Sequence, residues 1–186
     1  MRDSFQRALQ QVLHHEGGWS DHPRDPGGAT MKGVTLKTYS AFLGRQATKD
    51  ELRNIPDEHL ERLYRTGYWD AVRGDDLPAG IDMMVFDFAV NAGRKRAIIT
   101  LQRAVNMPAA QQDGIIGPGT LAAVRDLCNR TGAVSVATSY ATLRELFYRE
   151  LKTFDAFGKG WLRRNEAVLA MAKSWTDGED MGKAFA

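Results

Sequence analysis

The sequence predicts a mainly α-helical protein with a small β-hairpin after the first helix. Along most of the chain, apolar residues recur every three or four positions, as they do on the buried face of an amphipathic helix. The segment 17–34 is the exception, because it is rich in glycine, proline and aspartate and has no such repeat. That segment can hold a short hairpin but not a long helix.

Composition sets the broad class of the protein. Its 186 residues, 43% hydrophobic and 26% charged, are ordinary for a soluble globular protein and suffice for one compact domain with a core. No apolar run approaches the roughly 18 residues that span a membrane. A net charge of +2 is too small to imply nucleic-acid binding by itself. Cys128 is the only cysteine, so no internal disulfide forms, and its apolar neighbours indicate a core thiol.

The first helix carries the most informative residue of the chain. Ser4 can cap it, and its apolar stripe begins at Phe5 and runs through Leu9, Val12 and Leu13. At about 100° per residue, Glu16 returns to within about 20° of Phe5, so a carboxyl group ends the buried face. Gly17 and Gly18 then stop the helix. We expect desolvation to favour the protonated form, which suits a general acid; the alternative is a solvated Glu on a frayed last turn.

Capping residues delimit the next helices. Thr35 can cap a short helix that ends at Gly44, Thr48 and Glu51 form a capping box for another, and a further helix starts at Pro56-Asp57.

Residues 79–93 form the most buried-looking helix, apolar on nearly every side. Asp87 and Asn91, four residues apart, leave one narrow polar strip on it. Such a strip requires polar partners or a water-filled cleft, and two internally satisfied core groups are the structural alternative.

The C-terminal half is also predicted to be helical. One helix ends before Pro108, a turn over 113–120 leads into another from about residue 120, and a long helix covers about Ser135 to Phe157. Gly158 to Gly160 is predicted to end that long helix, and a last helix carries Trp161 to Trp175. We therefore divide the chain into an N-terminal lobe with Glu16 and the hairpin (1–94), a helical lobe (95–175) and a frayed tail (176–186), the two lobes forming one compact domain.

Glu16, Asp25 and Thr30 make a plausible glycosidase set. Glycoside hydrolysis uses one protonated carboxyl as the proton donor and a second, ionised carboxylate that stabilises the transition state or directs water. Asp25 lies on a turn and Thr30 supplies a nearby hydroxyl. Taken alone, Asp25-Pro-Gly is also a common structural turn.

Several motifs together resemble the glycoside hydrolase family 108 muramidases, lysozymes found as phage endolysins and in related bacterial proteins. The motifs are His15-Glu16-Gly-Gly-Trp19, Asp25-Pro-Gly-Gly-Ala-Thr30-x-Lys-Gly-Val-Thr35, Tyr68-Trp69, Phe86-Asp87-Phe88-Ala-Val-Asn91-Ala-Gly93, Leu101-Gln102 and Asp113-Gly-Ile-Ile-Gly-Pro-x-Thr120. The first block is specific, whereas the last also recurs in peptidoglycan-binding modules. The resemblance thus implies that residues 1–94 are the catalytic lobe and that residues 95–175 hold a peptidoglycan-binding region. The resemblance covers roughly residues 5 to 165.

The resemblance implies a lysozyme-like fold and cleavage of the β-1,4 bond between N-acetylmuramic acid and N-acetylglucosamine in peptidoglycan. It places the catalytic acid on Glu16, with Asp25 and Thr30 following in the order of the wider phage-lysozyme superfamily. Asn91 resembles an amide residue that lines the cleft from the central helix. We expect Trp19, Asp87 and Asn91 to hold the glycan, with Trp19 standing where tyrosine is usual.

The resemblance also implies an endolysin of the host cytoplasm that later reaches the periplasm and cell wall. The N-terminus has no apolar core like that of a signal peptide, in agreement with this expectation. A monomer that uses no cofactor and binds no nucleic acid is expected.

Other classes of function compete with hydrolysis. A lytic transglycosylase would use the same fold with a single Glu, and a non-catalytic protein would bind peptidoglycan through residues 113–120. A metal-dependent amidase is disfavoured because His14, His15, His22 and His59 form no HExxH pair. A secretion-related regulator has no mechanism in the sequence.

The stretch 144–164 combines basic and aromatic residues. It holds six basic residues, which either contact an anionic envelope weakly or form the solvated face of a core helix. They are Arg144, Arg149, Lys152, Lys159, Arg163 and Arg164.

Overall fold

A computed structural model describes residues 2–21 and 28–183, with the side chains of residues 4–21 and 28–176. This part of the chain is mainly helical, with a small sheet after the first helix, which confirms the predicted lysozyme-like fold class. The helices are α1 Arg2–Glu16, α2 Leu36–Leu43, α3 Lys49–Arg53, α4 Asp57–Tyr64, α5 Ile81–Ala92, α6 Arg94–Ala104, α7 Pro118–Thr131, α8 Ala133–Arg149 and α9 Phe154–Lys183. The strands are β1 Trp19–Ser20, β2 Thr30–Met31 and β3 Val34–Thr35.

Helix α5 is the centre of the fold. Every side chain from Ile81 to Ala89 is buried, and α1, α6, α8 and α9 all pack against this helix. An α-helix that is apolar on nearly all sides is stable in water only when other elements surround it. A charged side chain in the middle of α5, such as that of Asp87, therefore has to find its partners on those neighbouring helices.

The sheet is held by a tight turn. Strands β1, β2 and β3 are antiparallel in sequence order, with Trp19 opposite Met31 and Met31 opposite Val34. Lys32 and Gly33 form the two-residue turn between β2 and β3, with φ of 47° and 76°. Two consecutive positive φ angles match the right-handed twist of a hairpin, and glycine adopts the second without steric cost.

Side-chain caps define the short helices as predicted. The Thr35 side chain accepts a hydrogen bond from the Thr38 amide at the start of α2, and Gly44 ends that helix in a left-handed conformation. Thr48 and Glu51 form the complete capping box of α3. Residues 65–76, which follow α4, make one π-helical turn and two 3-10 turns before α5 begins.

The predicted break between the last two helices was wrong in position. Helix α8 ends at Arg149, and Gly158 lies inside α9, which starts at Phe154 and continues to Lys183. A Cβ on Gly158 would stand 2.5 Å from Cε2 of the Phe154 ring, so this glycine makes room for an aromatic ring instead of ending a helix. Helix α9 thus extends past residue 175, and the predicted fraying of residues 176–186 stays a prediction.

Cys128 is half-buried on α7 and packs against the core, and burial raises the pKa of its thiol to about 11. Within residues 2–21 and 28–183, no helix combines the length and the apolar character that crossing a bilayer requires.

Candidate active site

Glu16 is the last residue of α1, as the apolar stripe predicts. Its side chain is 19% exposed, and its Oε1 atom accepts a hydrogen bond of 2.8 Å from Nη1 of Arg164 on α9. Gly17 follows with φ of 75° and turns the chain away from the helix axis. One carboxylate oxygen is thereby fixed by a residue 148 positions away in sequence.

The other oxygen of Glu16 lies against the β2–β3 turn. A Cβ built on Gly33 would stand 2.9 Å from Oε2 of Glu16 and 2.6 Å from the Tyr64 hydroxyl oxygen. The same hydroxyl donates a 2.8 Å hydrogen bond to the carbonyl oxygen of Lys32. The missing side chain at position 33 is therefore what lets the turn approach the carboxyl group so closely.

Asp87 forms the buried centre of an ion-pair network that reaches Glu16. Its side chain is 0% exposed, and Nη2 of Arg144, equally buried, lies 2.5 Å from its Oδ2 atom. Nε of Arg164 donates to Oδ1 of Asp87 at 2.9 Å, while Nη1 of the same guanidinium reaches Glu16. Arg164 thus uses different edges of its planar fork for two carboxylates, a geometry that a single ammonium group cannot reproduce.

The network continues from Arg144 to the end of α5. Nε of Arg144 donates to the Tyr148 hydroxyl at 2.8 Å, and that hydroxyl donates to Oδ1 of Asn91 at 2.6 Å. The guanidinium of Arg144 also lies 4.8 Å from the centre of the Phe88 ring. Side chains of α1, α5, α8 and α9 are therefore linked through one set of polar contacts.

Charge pairing overcomes burial within this network. Burial alone would raise the pKa of Asp87, but the guanidinium groups of Arg144 and Arg164 hold it below its ordinary value. Burial would likewise lower the pKa of Arg144, yet the Asp87 carboxylate raises it. The Asp87 carboxylate therefore remains charged together with the guanidinium groups of Arg144 and Arg164.

Two neighbouring groups titrate away from their usual ranges. Burial, and next the Arg164 guanidinium, lowers the pKa of His15. Burial, and next the Glu16 carboxylate, raises the pKa of Tyr64, so this phenol keeps its proton and remains a donor.

The structure places Thr30 and Trp19, two of the other predicted site residues, in the small sheet after α1. Thr30 occupies the central strand, with Ser20 and Thr35 as its cross-strand neighbours. Trp19 on β1 is half-buried, and the guanidinium carbon of Arg53 lies 4.8 Å from the centre of its ring. Asp25 lies outside the described residues.

The expected glycan contact of Asp87 needs correction. A fully buried carboxylate with guanidinium groups on both oxygens has no surface for a sugar, and Asp87 is linked to Glu16 through Arg164. Asn91 is half-exposed beside it on α5, and its glycan contact remains a prediction.

Sequence reasoning missed Arg144 and Arg164 as site residues. They were grouped with a surface stretch, but their side chains are 0% and 10% exposed. The available signal was Asp87 itself, because a carboxylate on a helix that is apolar on nearly all sides requires buried cations as partners. Envelope contact therefore stays a prediction only for the other basic residues of that stretch.

The Asp113–Thr120 block is occupied by internal contacts. The amide nitrogen of Gln102 donates to Oδ1 of Asp113 at 2.8 Å and to the carbonyl oxygen of Ile115 at 3.1 Å. The Gln102 side-chain oxygen accepts from the Gly114 amide at 3.0 Å, and the Thr120 hydroxyl completes the set. These polar groups shape the loop before α7, so a ligand would have to compete with them.

Metal chemistry has no candidate group in the part of the chain that the structure covers. Among those residues, no cluster of three or more histidine, cysteine, aspartate and glutamate side chains is arranged to hold an ion.

Comparisons with known proteins divide the chain at the start of α6. The sequence model described as glycosyl hydrolase 108 matches residues 9–93, and the one described as predicted peptidoglycan domain matches residues 96–166. Among solved structures, SagA of Brucella abortus is similar, with a TM-score of 0.80 and 40% sequence identity over 95% of this chain and 97% of that chain. No curated protein sequence matches the chain.

Proposed function

The chain belongs to the glycosyl hydrolase 108 family and is a glycoside hydrolase that acts on peptidoglycan, and on this premise we propose a muramidase with Glu16 as its general acid. The bond cleaved is the β-1,4 linkage from N-acetylmuramic acid to N-acetylglucosamine. One observation carries the proposal: a half-buried carboxyl group at the end of α1, with Oε1 fixed by Arg164 and Oε2 against the β2–β3 turn.

Each oxygen of Glu16 has a separate role in the proposed reaction. Arg164 holds Oε1 and thereby fixes the rotation of the carboxyl group. The proton resides on Oε2 and passes to the glycosidic oxygen as the bond to the sugar C1 breaks. General acid catalysis of this kind contributes about 10²–10⁴-fold in rate, provided that donor and acceptor are within hydrogen-bond reach.

A second carboxylate completes the reaction in this proposal. Asp25 stabilises the positive charge that develops at C1 or, together with Thr30, orients the attacking water. Trp19 and Asn91 contribute sugar contacts. The stereochemistry of the product distinguishes the two roles of Asp25, since a covalent intermediate retains configuration and direct attack by water inverts it.

The decisive experiment measures reducing-sugar release from purified peptidoglycan, with products identified by mass spectrometry. We expect muramic-acid reducing ends from the wild type and at least a hundredfold loss for Glu16→Gln. Glu166→Gln is the matched control, because Glu166 is exposed on α9 two residues from Arg164 and should retain full activity. A Glu16→Gln enzyme that keeps most of its rate would refute the assignment, and 1,6-anhydro products would indicate a lytic transglycosylase instead.

Peptidoglycan binding by residues 96–166 is the second candidate function, favoured by the match over that region. With this function, the Glu16→Gln variant would still sediment with cell walls while releasing no reducing ends. The internal hydrogen bonds of the Asp113–Thr120 block disfavour a binding site built from that block.

The endolysin role is a further part of the proposal. The enzyme accumulates in the cytoplasm of its host and attacks the wall once the inner membrane is opened. We expect turbidity of an expressing Gram-negative culture to fall rapidly only after permeabilisation, and not at all with Glu16→Gln. Lysis by the intact wild type without permeabilisation would contradict this role.

A further inference from the structure

Three aromatic rings form a row on the side of α9 that carries Arg164. The Trp161 ring stacks on Tyr148, with centroids 5.4 Å apart and planes 23° apart. Phe157 lies next along the row, its centroid 5.8 Å from that of Trp161. Tyr148 is buried, Trp161 is half-buried and Phe157 is 58% exposed, so the aromatic row leads from the core into solvent.

The aromatic row is continuous with the candidate active site. Phe157, Trp161 and Arg164 are spaced i, i+4 and i+7, which places them within about 60° of one another around α9. The guanidinium at the inner end of this series holds Glu16, and Phe157 lies roughly 10 Å further along the helix axis. The buried end of the row also meets the site, because the Tyr148 hydroxyl donates to Asn91.

The chemistry of this surface favours a sugar over an anionic partner. Aromatic faces carry negative charge density and attract the polarised C–H groups that a sugar ring presents on its flat side. The exposed cations of this part of α9, Lys159 and Arg163, point away from Phe157 by about 160° and 120° around the helix. An anionic membrane would need those charges on the same face as the ring.

We propose that Phe157, backed by Trp161, is a glycan-binding platform that stacks a sugar of the peptidoglycan strand beyond the bond being cleaved. This inference rests on the proposed muramidase function and extends it to substrate length. The platform lies too far along α9 to touch the sugars at Glu16, so it contributes only when the strand continues past the site. A long strand gains this contact and a short oligomer does not.

Binding is the first test, because it does not depend on catalysis. In a Glu16→Gln background, Phe157→Ala should weaken binding to purified, intact glycan strands by about three- to tenfold, and Phe157→Trp should restore it. Leu146→Ala is the matched control: Leu146 is an apolar side chain, 51% exposed on α8, and points about 160° away from Tyr148 around that helix. It should bind as its parent does.

Kinetics with substrates of two lengths is the second test. In the otherwise native enzyme, Phe157→Ala should raise KM for intact strands by the same three- to tenfold factor. It should not change kcat or the rate on short muropeptide oligomers. Failure of the proposed function would appear as retained activity in Glu16→Gln, which is a separate measurement.

Three results would overturn the platform. One is equal glycan binding by Phe157→Ala and Leu146→Ala. Another is an equal loss of activity on short and long substrates, which would indicate damage to the site itself. The third is a Phe157→Ala variant that binds anionic phospholipid vesicles less well but binds glycan as before, which would indicate that the Phe157 ring contacts a membrane.

Discussion

Replacing Gly33 by alanine should damage both the stability and the chemistry of this protein. Gly33 has φ of 76°, a backbone conformation that costs an L-residue about 1–2 kcal/mol. The added Cβ would also meet the Tyr64 hydroxyl at 2.6 Å and Oε2 of Glu16 at 2.9 Å. Inserting a methyl group into a packed site costs about 1–3 kcal/mol in addition.

The structure shows which neighbour would give way. Tyr64 is 2% exposed, its ring packs on Tyr68 and Phe86, and its hydroxyl is bonded to the Lys32 carbonyl, so it has little freedom. Glu16 has a flexible side chain and will move away from the added Cβ, while the contact with Tyr64 can be relieved only by a shift of the turn itself. Displacing a catalytic group by about 1 Å can cost up to about 100-fold in rate, so we expect activity to fall by about 10- to 100-fold.

Gly44→Ala isolates the steric part of the effect. Gly44 has φ of 68°, and a Cβ there would meet nothing within 4 Å, so only the backbone cost applies. At about 3 °C per kcal/mol, the thermal midpoint should fall by about 5 °C for Gly44→Ala and by about 10 °C for Gly33→Ala. Calorimetry and reducing-sugar release below both midpoints measure the two effects. If Gly33→Ala matched Gly44→Ala in midpoint and in activity, the close approach of the turn to Glu16 would be refuted.

The ion-pair network gives three further predictions. Asp87→Asn leaves two buried cations without their shared anion and should lower the free energy of unfolding, measured with denaturant, by about 3–5 kcal/mol. Asp126→Asn removes an exposed ion pair and should change the free energy of unfolding by less than about 1 kcal/mol. Arg164→Lys keeps the charge but cannot span two carboxylates, so kcat should fall at least tenfold with little change in KM. Arg163→Gln, at an exposed position, is the control and should behave as wild type. An unaltered kcat in Arg164→Lys would contradict the positioning role. Because the pKa of His15 is lowered in the folded protein, the unfolded chain takes up the proton at a higher pH than the folded chain does. Stability should therefore decline as pH falls below about 6.5. His15→Gln should remove that slope from a plot of thermal midpoint against pH, and an identical slope would exclude His15 as its source.

The local features of the fold could be predicted from the sequence because their causes are local. Thr48 and Glu51 cap α3 through contacts three residues apart, and the apolar stripe of α1 places Glu16 at a buried helix end. The same local reasoning fails at Gly158, where a residue that usually interrupts helices lies inside α9. Glycine is present at position 158 because the ring of Phe154 packs over its α-carbon. This is a packing contact, which the low helix propensity of glycine does not reveal.

The electrostatics of the site could not be predicted in the same way, because the partners are far apart in sequence. Arg164 lies 77 residues from Asp87 and 148 from Glu16, and nothing in its local pattern distinguishes it from the exposed Arg163. Asp87 showed that a buried cation was required but not which one. The cations come from residues 96–166, while both carboxylates lie within residues 9–93. An unpaired buried carboxylate is strongly destabilising. Residues 9–93 therefore depend on residues 96–166 for the position of Glu16 and for the neutralisation of Asp87, whatever either region does alone.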